Sequence, residues 1–337
     1  MKRWQFWLGV AISAVFLWLA LRGLRLDEVW EALKEANYLW LIPGVTVYFF
    51  GVWARTWRWH YLLRPIKKIP ILKLFPIVTI GYFGNNIYPA RAGELLRAFI
   101  LRQTDEVPVS TSLATIIIER AFDGIVMLSF VFINLHELAS LTSDSGFIGN
   151  IRTLTLLGAA AFFIAVLIFF VMAIFPERSK IFTQMLINRF IPPRFRPAIE
   201  SFTDRFLVGL VSLRSPFDVL MVLITSIVIW LFETWKYWFV MHAFDFQVSF
   251  FALMLMNGIV NLATTLPSAP GYFGTFDAPG IAVLVAYGVP QEIATGYTFV
   301  LHAALWLPIT ILGAYYMAKS QLSWRSVQQE LAEERAT

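Results

Sequence analysis

Long uncharged runs, separated by short polar segments, dominate the sequence. A helix of about 20 mostly apolar residues crosses the roughly 30 Å hydrocarbon core of a bilayer. Six segments meet this length and predict full transmembrane helices, namely residues 4–21, 38–54, 110–135, 154–176, 219–244 and 293–318. The fold class expected from this pattern is an all-α polytopic membrane protein that forms a single membrane domain over residues 1–337.

Two further apolar segments are interrupted near their middle. The first runs from residue 74 to 102 and contains Gly84-Asn85-Asn86 and Tyr88-Pro89. The second runs from residue 246 to 287 and contains Pro267-Ser-Ala-Pro-Gly271. Irregular backbone at membrane depth is tolerated only inside protein or along a cavity. The pattern therefore predicts two broken, re-entrant elements in addition to the six spans.

Polar segments complete the predicted layout. Residues 26–37 place apolar side chains on one helical face, which predicts a short interfacial helix. Residues 177–218 are rich in Pro and Arg, and are expected to form amphipathic helices on anionic lipid or to dock a partner. Residues 319–337 are expected to be a cytoplasmic tail.

Positive charge is distributed unevenly over the predicted loops. If both broken elements return to the side they entered, 21 of the 27 Lys and Arg residues share one side with both termini. That count includes Arg55, Arg58 and Arg97, with residues 55–61 interpreted as a cation-aromatic membrane interface. The bias predicts a multi-pass cell-membrane protein with cytoplasmic termini.

The order of spans is repeated along the chain. Span, span, broken element and span occur in residues 1–135 and again in residues 136–318. Three full crossings per half invert the second half relative to the first, and inverted repeats with discontinuous helices are typical of transporters.

Composition narrows the chemistry. Apolar residues make up 58% and charged residues 15%, far from the average for soluble domains. There are no cysteines, and the four histidines are dispersed, so no metal site and no cofactor is predicted. The net charge of +5 is attributed to cytoplasmic loops, not to nucleic-acid binding.

Ionisable residues within predicted spans are the first candidates for function, because burying them in a membrane is costly. Glu119 and Asp123 share a helix face with Arg120 nearby, and this acidic excess requires another cation, from Arg91, Arg97 or Lys236. Glu233 and Lys236 are three residues apart. Each group could be an internal salt bridge or part of a substrate path.

The broken elements supply the other candidates. Arg91, Gly93, Glu94 and Arg97 open the returning helix of the first element, whose free N–H groups could hold a phosphate or carboxylate. A structural cap, with Arg91 paired to Glu94, is the alternative. The second break would place another helix start near Gly271 to Asp277, and a purely structural hinge is the alternative. The candidate substrate-binding residues are Asn85, Asn86, Arg91, Gly93, Glu94, Arg97, Glu119, Arg120, Asp123, Glu233, Lys236, Pro267, Gly271 and Asp277.

The chain resembles the transmembrane region of lysylphosphatidylglycerol synthases, also called the flippase-like domain family. The resemblance rests on the stretch from Asn85 to Arg97, which contains Pro89-x-Arg91-x-Gly93-Glu94. Supporting matches are Arg55-Thr-Trp-Arg58-Trp before Leu62-Leu63, Glu119-Arg120-x-x-Asp123 and the stretch from Leu266 to Asp277. It implies translocation of an aminoacylated phospholipid, while stand-alone relatives are associated with glycolipid, hopanoid or polyprenyl-linked pathways. No aminoacyl-transferase segment follows the match within these 337 residues.

The leading hypothesis is therefore a non-enzymatic protein that moves a lipid between leaflets, with membrane lipids of anionic headgroup as partners. A homodimer or a membrane enzyme partner is also considered. The alternatives are an ion-coupled transporter of a soluble solute and a non-catalytic membrane subunit of a lipid-modifying or glycosyl-transfer complex.

Overall fold

The computed structural model describes residues 3–88, 92–140, 174–209, 215–266 and 268–320, with residues 160, 163, 164, 167, 168, 171, 172 and 213 in addition. The regular structure of these residues is helical throughout. The all-α prediction is therefore confirmed. Twelve α-helices of the described part are numbered in chain order: α1 (Arg3–Leu21), α2 (Leu26–Glu35), α3 (Leu41–Leu63), α4 (Ile71–Ile87), α5 (Ala92–Asp105), α6 (Val109–Ser140), α7 (Pro176–Phe190), α8 (Arg196–Gly209), α9 (Pro216–Met241), α10 (Phe250–Ala263), α11 (Asp277–Ala286) and α12 (Gln291–Lys319).

Five helices occupy predicted spans: α1, α3, α6, α9 and α12. Most of the remaining span, at residues 154–176, and the tail beyond residue 320 lie outside the described residues. Among the described helices, α9 and α12 are both long and apolar enough to cross a membrane. The count of six crossings and the division into two halves remain predictions.

Both predicted breaks are present. Helix α4 ends at Ile87 and α5 begins at Ala92, while α10 ends at Ala263 and α11 begins only at Asp277. At 1.5 Å per residue, these four helices are about 15 to 26 Å long, too short to cross about 30 Å of hydrocarbon alone. The second break contains a short 3₁₀ turn over Pro270–Tyr272, with Gly271 at φ 77°.

Small residues bring the central helices close together, as is common in membrane bundles. Helices α3 and α9 pack along much of their length, with Gly44 against the side chain of Val240. Helix α4 packs on α5 and on α12, where Gly313 lies against Thr79. The largest apolar core cluster draws on α3, α4, α5 and α6. Helix α4, which ends at the first break, also packs on the 3₁₀ turn of the second break.

The predicted surface segment forms α7 and α8, which pack on each other, and α8 also packs on α6. Several large apolar side chains of α7 are exposed, including Ile181, Phe182 and Phe190. The segment therefore combines positive charge with exposed apolar surface, as expected for amphipathic surface helices.

Candidate functional site

A cavity of about 170 Å³ lies among helices α3, α4, α5, α6, α9, α10 and α12 and the second break. Polar and charged side chains line much of its wall, which is unusual for the interior of an apolar helix bundle. Nine of the predicted site residues line the cavity: Asn85, Asn86, Glu94, Arg97, Glu119, Arg120, Glu233, Lys236 and Gly271. Arg91 and Pro267 lie outside the described residues.

Arg58 of α3 is fully buried at the centre of one charge network. Its Nη1 donates to Oδ1 of Asp123 at 2.6 Å, and its Nη2 donates to Oδ2 at 3.2 Å. Nη1 also donates to Oγ of Ser226 on α9 at 2.9 Å, and Trp230 donates to Asp123 at 3.0 Å. Two parallel hydrogen bonds between guanidinium and carboxylate are the strongest geometry for such a pair. The network joins α3, α6 and α9.

Arg97 of α5 also forms an ion pair with α6. Its Nη1 donates to Oε2 of Glu119 at 3.0 Å, and its guanidinium lies 4.0 Å from the ring centroid of Trp59. Nε of Arg58 is 3.7 Å from Oε1 of Glu119. Of the three cations proposed to face α6, the structure places Arg97 there.

Arg120 of α6 is less deeply buried than its neighbours and faces the opening helix turn of α5. Its Nε lies 3.6 Å from Oε1 of Glu94, and its Nη1 lies 3.5 Å from Oδ2 of Asp123. Glu94 thus pairs with Arg120. Its predicted pairing with Arg91 falls on a residue outside the described part.

A second charge network lies across the cavity on α3 and α9. Lys236 forms an ion pair with Glu233, one helical turn away. Arg55 donates from Nη2 to Oε1 of Glu233 at 2.9 Å and from Nη1 to the hydroxyl of Tyr82 at 2.6 Å. The ammonium of Lys236 also lies 4.7 Å from the ring centroid of Tyr48. Glu233 therefore has two cationic partners.

Gly93 is a packing residue of the first break. A Cβ at this position would collide with the carbonyl oxygen of Gly81 and with the backbone nitrogen of Asn85. Only glycine permits the start of α5 to approach α4 this closely. Gly93 thereby sets the position of Glu94 and Arg97.

The asparagines of the first break differ in their contacts. Asn86 donates from Nδ2 to Oγ1 of Thr310 at 2.8 Å, which ties α4 to α12. Asn85 lines the cavity, and its buried Oδ1 accepts no hydrogen bond within the described part.

Asp277 begins α11 and is fully buried behind the second break. Its Oδ2 accepts from the backbone N–H of Gly274 at 2.8 Å, and its Oδ1 lies 2.8 Å from Nδ1 of His302. Nε2 of His302 lies 2.7 Å from the carbonyl oxygen of Gly271. His302 lines the cavity, whereas Asp277 lies outside the cavity wall and contacts His302.

The structure corrects one prediction from the sequence. Arg58 and Trp59 are 0% exposed, and Arg55 lines the cavity, so these residues do not form a membrane interface. Arg55, Arg58 and the buried Arg97 all line the cavity and therefore do not belong to the cytoplasmic loop charges with which they were counted. Helix α3 continues past them to Leu63. The three-residue spacing of Arg55 and Arg58, in a helix that runs on into Leu62-Leu63, was the available signal. It would also have supplied the missing cation for α6.

Positive charge exceeds negative charge in the two networks. Among the described residues, five cations face four acids, namely Arg55, Arg58, Arg97, Arg120 and Lys236 against Glu94, Glu119, Asp123 and Glu233. Asp277 is satisfied separately by His302 and Gly274. No cluster of three acidic or histidine side chains suited to a metal ion occurs in the described residues.

Hydrogen-bond donors at the cavity also exceed their partners. Nε and Nη2 of Arg97, Nε of Arg55 and Nε1 of Trp306 are buried and make no hydrogen bond within the described part of the chain. Buried donors are normally satisfied. Surplus donors and surplus positive charge together favour a ligand with several acceptor oxygens and negative charge.

The sequence matches the family described as the lysylphosphatidylglycerol synthase TM region over residues 6–313. A UPF0104 membrane protein of Methanothermobacter thermautotrophicus is 24% identical over 332 residues, covering 94% of this chain and 93% of the relative. A second UPF0104 membrane protein, from Methanocaldococcus jannaschii, is 23% identical over 316 residues, covering 90% and 91%.

A third relative is named glycosyltransferase AglD and comes from Haloferax volcanii. It is 24% identical over 350 residues, a match that covers 94% of this chain but only 55% of AglD. The family match covers most of this sequence and includes the cavity residues described here. The chain belongs to the lysylphosphatidylglycerol synthase transmembrane-region family, a family of membrane proteins.

Proposed function

We propose that this protein moves a lipid with an anionic headgroup between the two leaflets of the cell membrane. The observation that carries the proposal is the cavity beside both helix breaks, with its surplus of buried arginine donors. A phosphate or phosphodiester offers several acceptor oxygens and at least one negative charge, which complements this wall. The family match supports a lipid as the bearer of that group.

The proposed binding mode uses the arginines of the first network. Arg97 has two free donor atoms and stacks on Trp59, so its guanidinium plane is held in place before a ligand arrives. Its bond to Glu119 fixes the remaining nitrogen. Such preorganisation lowers the cost of binding because fewer side chains must be ordered. Arg120 and Arg55 would complete the headgroup site.

The broken elements are proposed to be re-entrant, with both termini in the cytoplasm and the two halves inverted. The short lengths of α4, α5, α10 and α11 support re-entry, because none of them spans the hydrocarbon alone. In this arrangement the cavity lies between the two breaks. The headgroup would pass through it while the acyl or polyprenyl chains remain in lipid.

A second candidate function is a non-catalytic subunit beside a glycosyl-transfer enzyme. The relative named a glycosyltransferase supports it, since most of this chain matches part of that longer protein. In that case the cavity would present a lipid-linked substrate to an enzyme partner. Transport of a soluble anionic solute is the remaining alternative, because the same donors would bind it.

Reconstitution into liposomes separates these functions. Fluorescent lipids with anionic, zwitterionic and glycosylated headgroups are incorporated in parallel, and a membrane-impermeant quencher reports which lipids have changed leaflet. Faster loss of the protected fraction for anionic headgroups supports lipid translocation. A folded protein that accelerates no lipid, but takes up a soluble anion, contradicts it. Copurification of a glycosyltransferase without lipid movement supports the subunit role.

A further inference from the structure

The hydrogen bonds of His302 fix the number of protons at the second break. Nε2 lies 2.7 Å from the carbonyl oxygen of Gly271, and a carbonyl oxygen can only accept, so Nε2 carries a proton. Nδ1 lies 2.8 Å from Oδ1 of Asp277, and a hydrogen bond there requires another proton on either atom. Turning the ring over would place carbon atoms against both oxygens and lose both bonds.

The pair of His302 and Asp277 therefore holds one proton more than a neutral imidazole beside an ionised carboxylate. Whether imidazolium faces carboxylate or imidazole faces carboxylic acid, the pair has no net charge. Loss of the proton would leave two lone pairs facing each other at 2.7 or 2.8 Å. One of the two bonds must then break.

Those two bonds hold the second break in place. His302 binds the carbonyl of Gly271, while Asp277 binds the N–H of Gly274 and so pins the other end of the break. The rings of Phe273 and Phe276 lie 4.9 and 4.5 Å from the imidazole. On its far side the break is held by α1, where Ser13 accepts from the N–H of Ala269. Loss of the His302 contact would therefore release the Gly271 end of the break, while Ser13 would still bind Ala269.

Other ionisable groups surround this pair at greater range. Asp277 is the acid in contact with His302 among the described residues. Helix α2 packs on α12. Glu292, in the first turn of α12, pairs with Arg25, the residue just before α2. The titratable groups that share the cavity wall with His302 come from α3 (Tyr48, Arg55, Arg58), α4 (Tyr82), α5 (Glu94, Arg97), α6 (Glu119, Arg120), α9 (Glu233, Lys236, Tyr237) and the break (Tyr272).

We propose that the His302–Asp277 pair is a proton-binding site that couples proton uptake to the binding of the anionic headgroup. This inference rests on the proposed function for the identity of the ligand, but the proton shared by His302 and Asp277 is argued from the structure alone. Proton loss makes the pair negative and offsets the surplus of one positive charge counted among the described residues of the two networks. Proton binding and headgroup binding therefore favour each other, and each must strengthen the other by the same factor.

The substitution D277N tests the role of the proton without removing the hydrogen bonds that hold the break. The amide Nδ2 can donate to Nδ1 of a neutral imidazole, while the amide oxygen still accepts from Gly274. The variant therefore keeps every hydrogen bond of the proton-bound pair but cannot release the proton. If D277N does not fold, H302N serves as the second variant, because an asparagine amide cannot take up or release the proton that the imidazole shares with Asp277.

The first test measures the break without any lipid. The sequence contains no cysteine, so S268C provides a single thiol within the break. Its rate of maleimide labelling is followed between about pH 5.5 and 8.5 and is divided by the rate for S320C, an exposed position outside the break, to correct for thiol ionisation. We expect the ratio to rise with pH, by up to about tenfold per pH unit for one proton, and to stay flat in D277N or H302N. Equal profiles overturn the proposal.

The second test uses the liposomes with a phosphodiester headgroup, whose charge does not change over this pH range. We expect the wild type to bind and move the lipid better at low pH, and D277N to lose that dependence. Lipid movement independent of pH in the wild type overturns the proton site but leaves the proposed function standing. A pH-dependent S268C ratio without any lipid movement supports the proton site and overturns the proposed function.

Discussion

Arg58 and Asp123 form a two-point ion pair at the centre of the helix bundle, with Nη1–Oδ1 and Nη2–Oδ2 distances of 2.6 and 3.2 Å. Arg58 is fully buried and Asp123 nearly so. Removing one partner from such a pair leaves an uncompensated charge in a medium that solvates it poorly, which typically costs about 3–5 kcal/mol. The packing of α3 against α6 is therefore stable only while both Arg58 and Asp123 are present.

The first prediction concerns this pair. R58A should lower the free energy of unfolding by about 3–5 kcal/mol, because Asp123 and Glu119 both lose a cation. Denaturant titration in detergent micelles measures the change. R25A serves as the control, since Arg25 forms exposed pairs with Glu28 and Glu292 that contribute at most about 1 kcal/mol. Equal losses for the two variants would show that the buried pair is not the stabilising contact.

The helix layout follows from the sequence because the bilayer imposes it. Backbone groups must be satisfied within each segment, so apolar runs become helices, and Gly, Asn and Pro clusters mark where they stop. The breaks after Ile87 and after Ala263 fall where the sequence predicts them. The side-chain partners do not follow in the same way. Spacing assigns Glu119 and Asp123 to one face, but not the helix opposite that face.

The buried arginines of α3 show why part of the site was missed. Arg55 and Arg58 stand among tryptophans, and the same composition occurs at membrane interfaces. Their three-residue spacing indicates a shared helix face, but the packing of α3 between α6 and α9 is what shows that this face is buried. His302 and Asp277 are 25 residues apart on different helices, so no local spacing predicts their contact. Tertiary packing decides both.

The second prediction concerns the crossing of α4 and α5. G93A should destabilise the protein by about 1–3 kcal/mol, since the new Cβ collides with backbone atoms of Gly81 and Asn85 that cannot rotate away. Thermal unfolding in detergent measures this effect. The matched control is G51A in α3, whose Cβ would meet only ordinary contacts at 3.7 and 3.9 Å.

In G51A, replacing glycine within a helix should stabilise the protein by about 0.5–1 kcal/mol. The two glycine variants therefore shift the melting temperature in opposite directions. A melting temperature for G93A at or above that of the wild type would contradict the tight crossing.

The third prediction separates charge from shape at Arg97. R97A should reduce the binding of an anionic headgroup by roughly tenfold to a hundredfold, the range expected for a charged hydrogen bond of about 1.5–3 kcal/mol. R97K keeps the charge but loses the planar group on Trp59, so it should recover only part of the affinity. Microscale thermophoresis with a short-chain phosphodiester lipid measures both.

R102A is the control for Arg97, because Arg102 lies on the same helix but is exposed and outside the cavity wall. Its affinity should stay within twofold of the wild type. If R97K binds as tightly as the wild type, the site recognises charge alone. If R102A weakens binding as much as R97A does, the loss does not come from the cavity.

The fourth prediction concerns the charge balance of the cavity. Glu94 is partly exposed and lies 3.6 Å from Arg120, so E94Q removes a negative charge while its amide oxygen can still accept from the arginine. Because the surplus of positive charge then rises by one, E94Q should bind the anionic headgroup several-fold more tightly than the wild type does. Release of the headgroup from E94Q should slow by a similar factor. Lipid translocation should therefore become slower even though the headgroup binds more tightly. Titration of affinity and the liposome assay, run on the same preparation, measure the two effects.

E35Q, on an exposed position of α2, makes the same change in net charge far from the cavity wall and should alter neither quantity. Added salt should reduce the gain in affinity, because the interaction is electrostatic. Weaker binding by E94Q would mean that Glu94 contacts the ligand itself instead of limiting the positive charge around it.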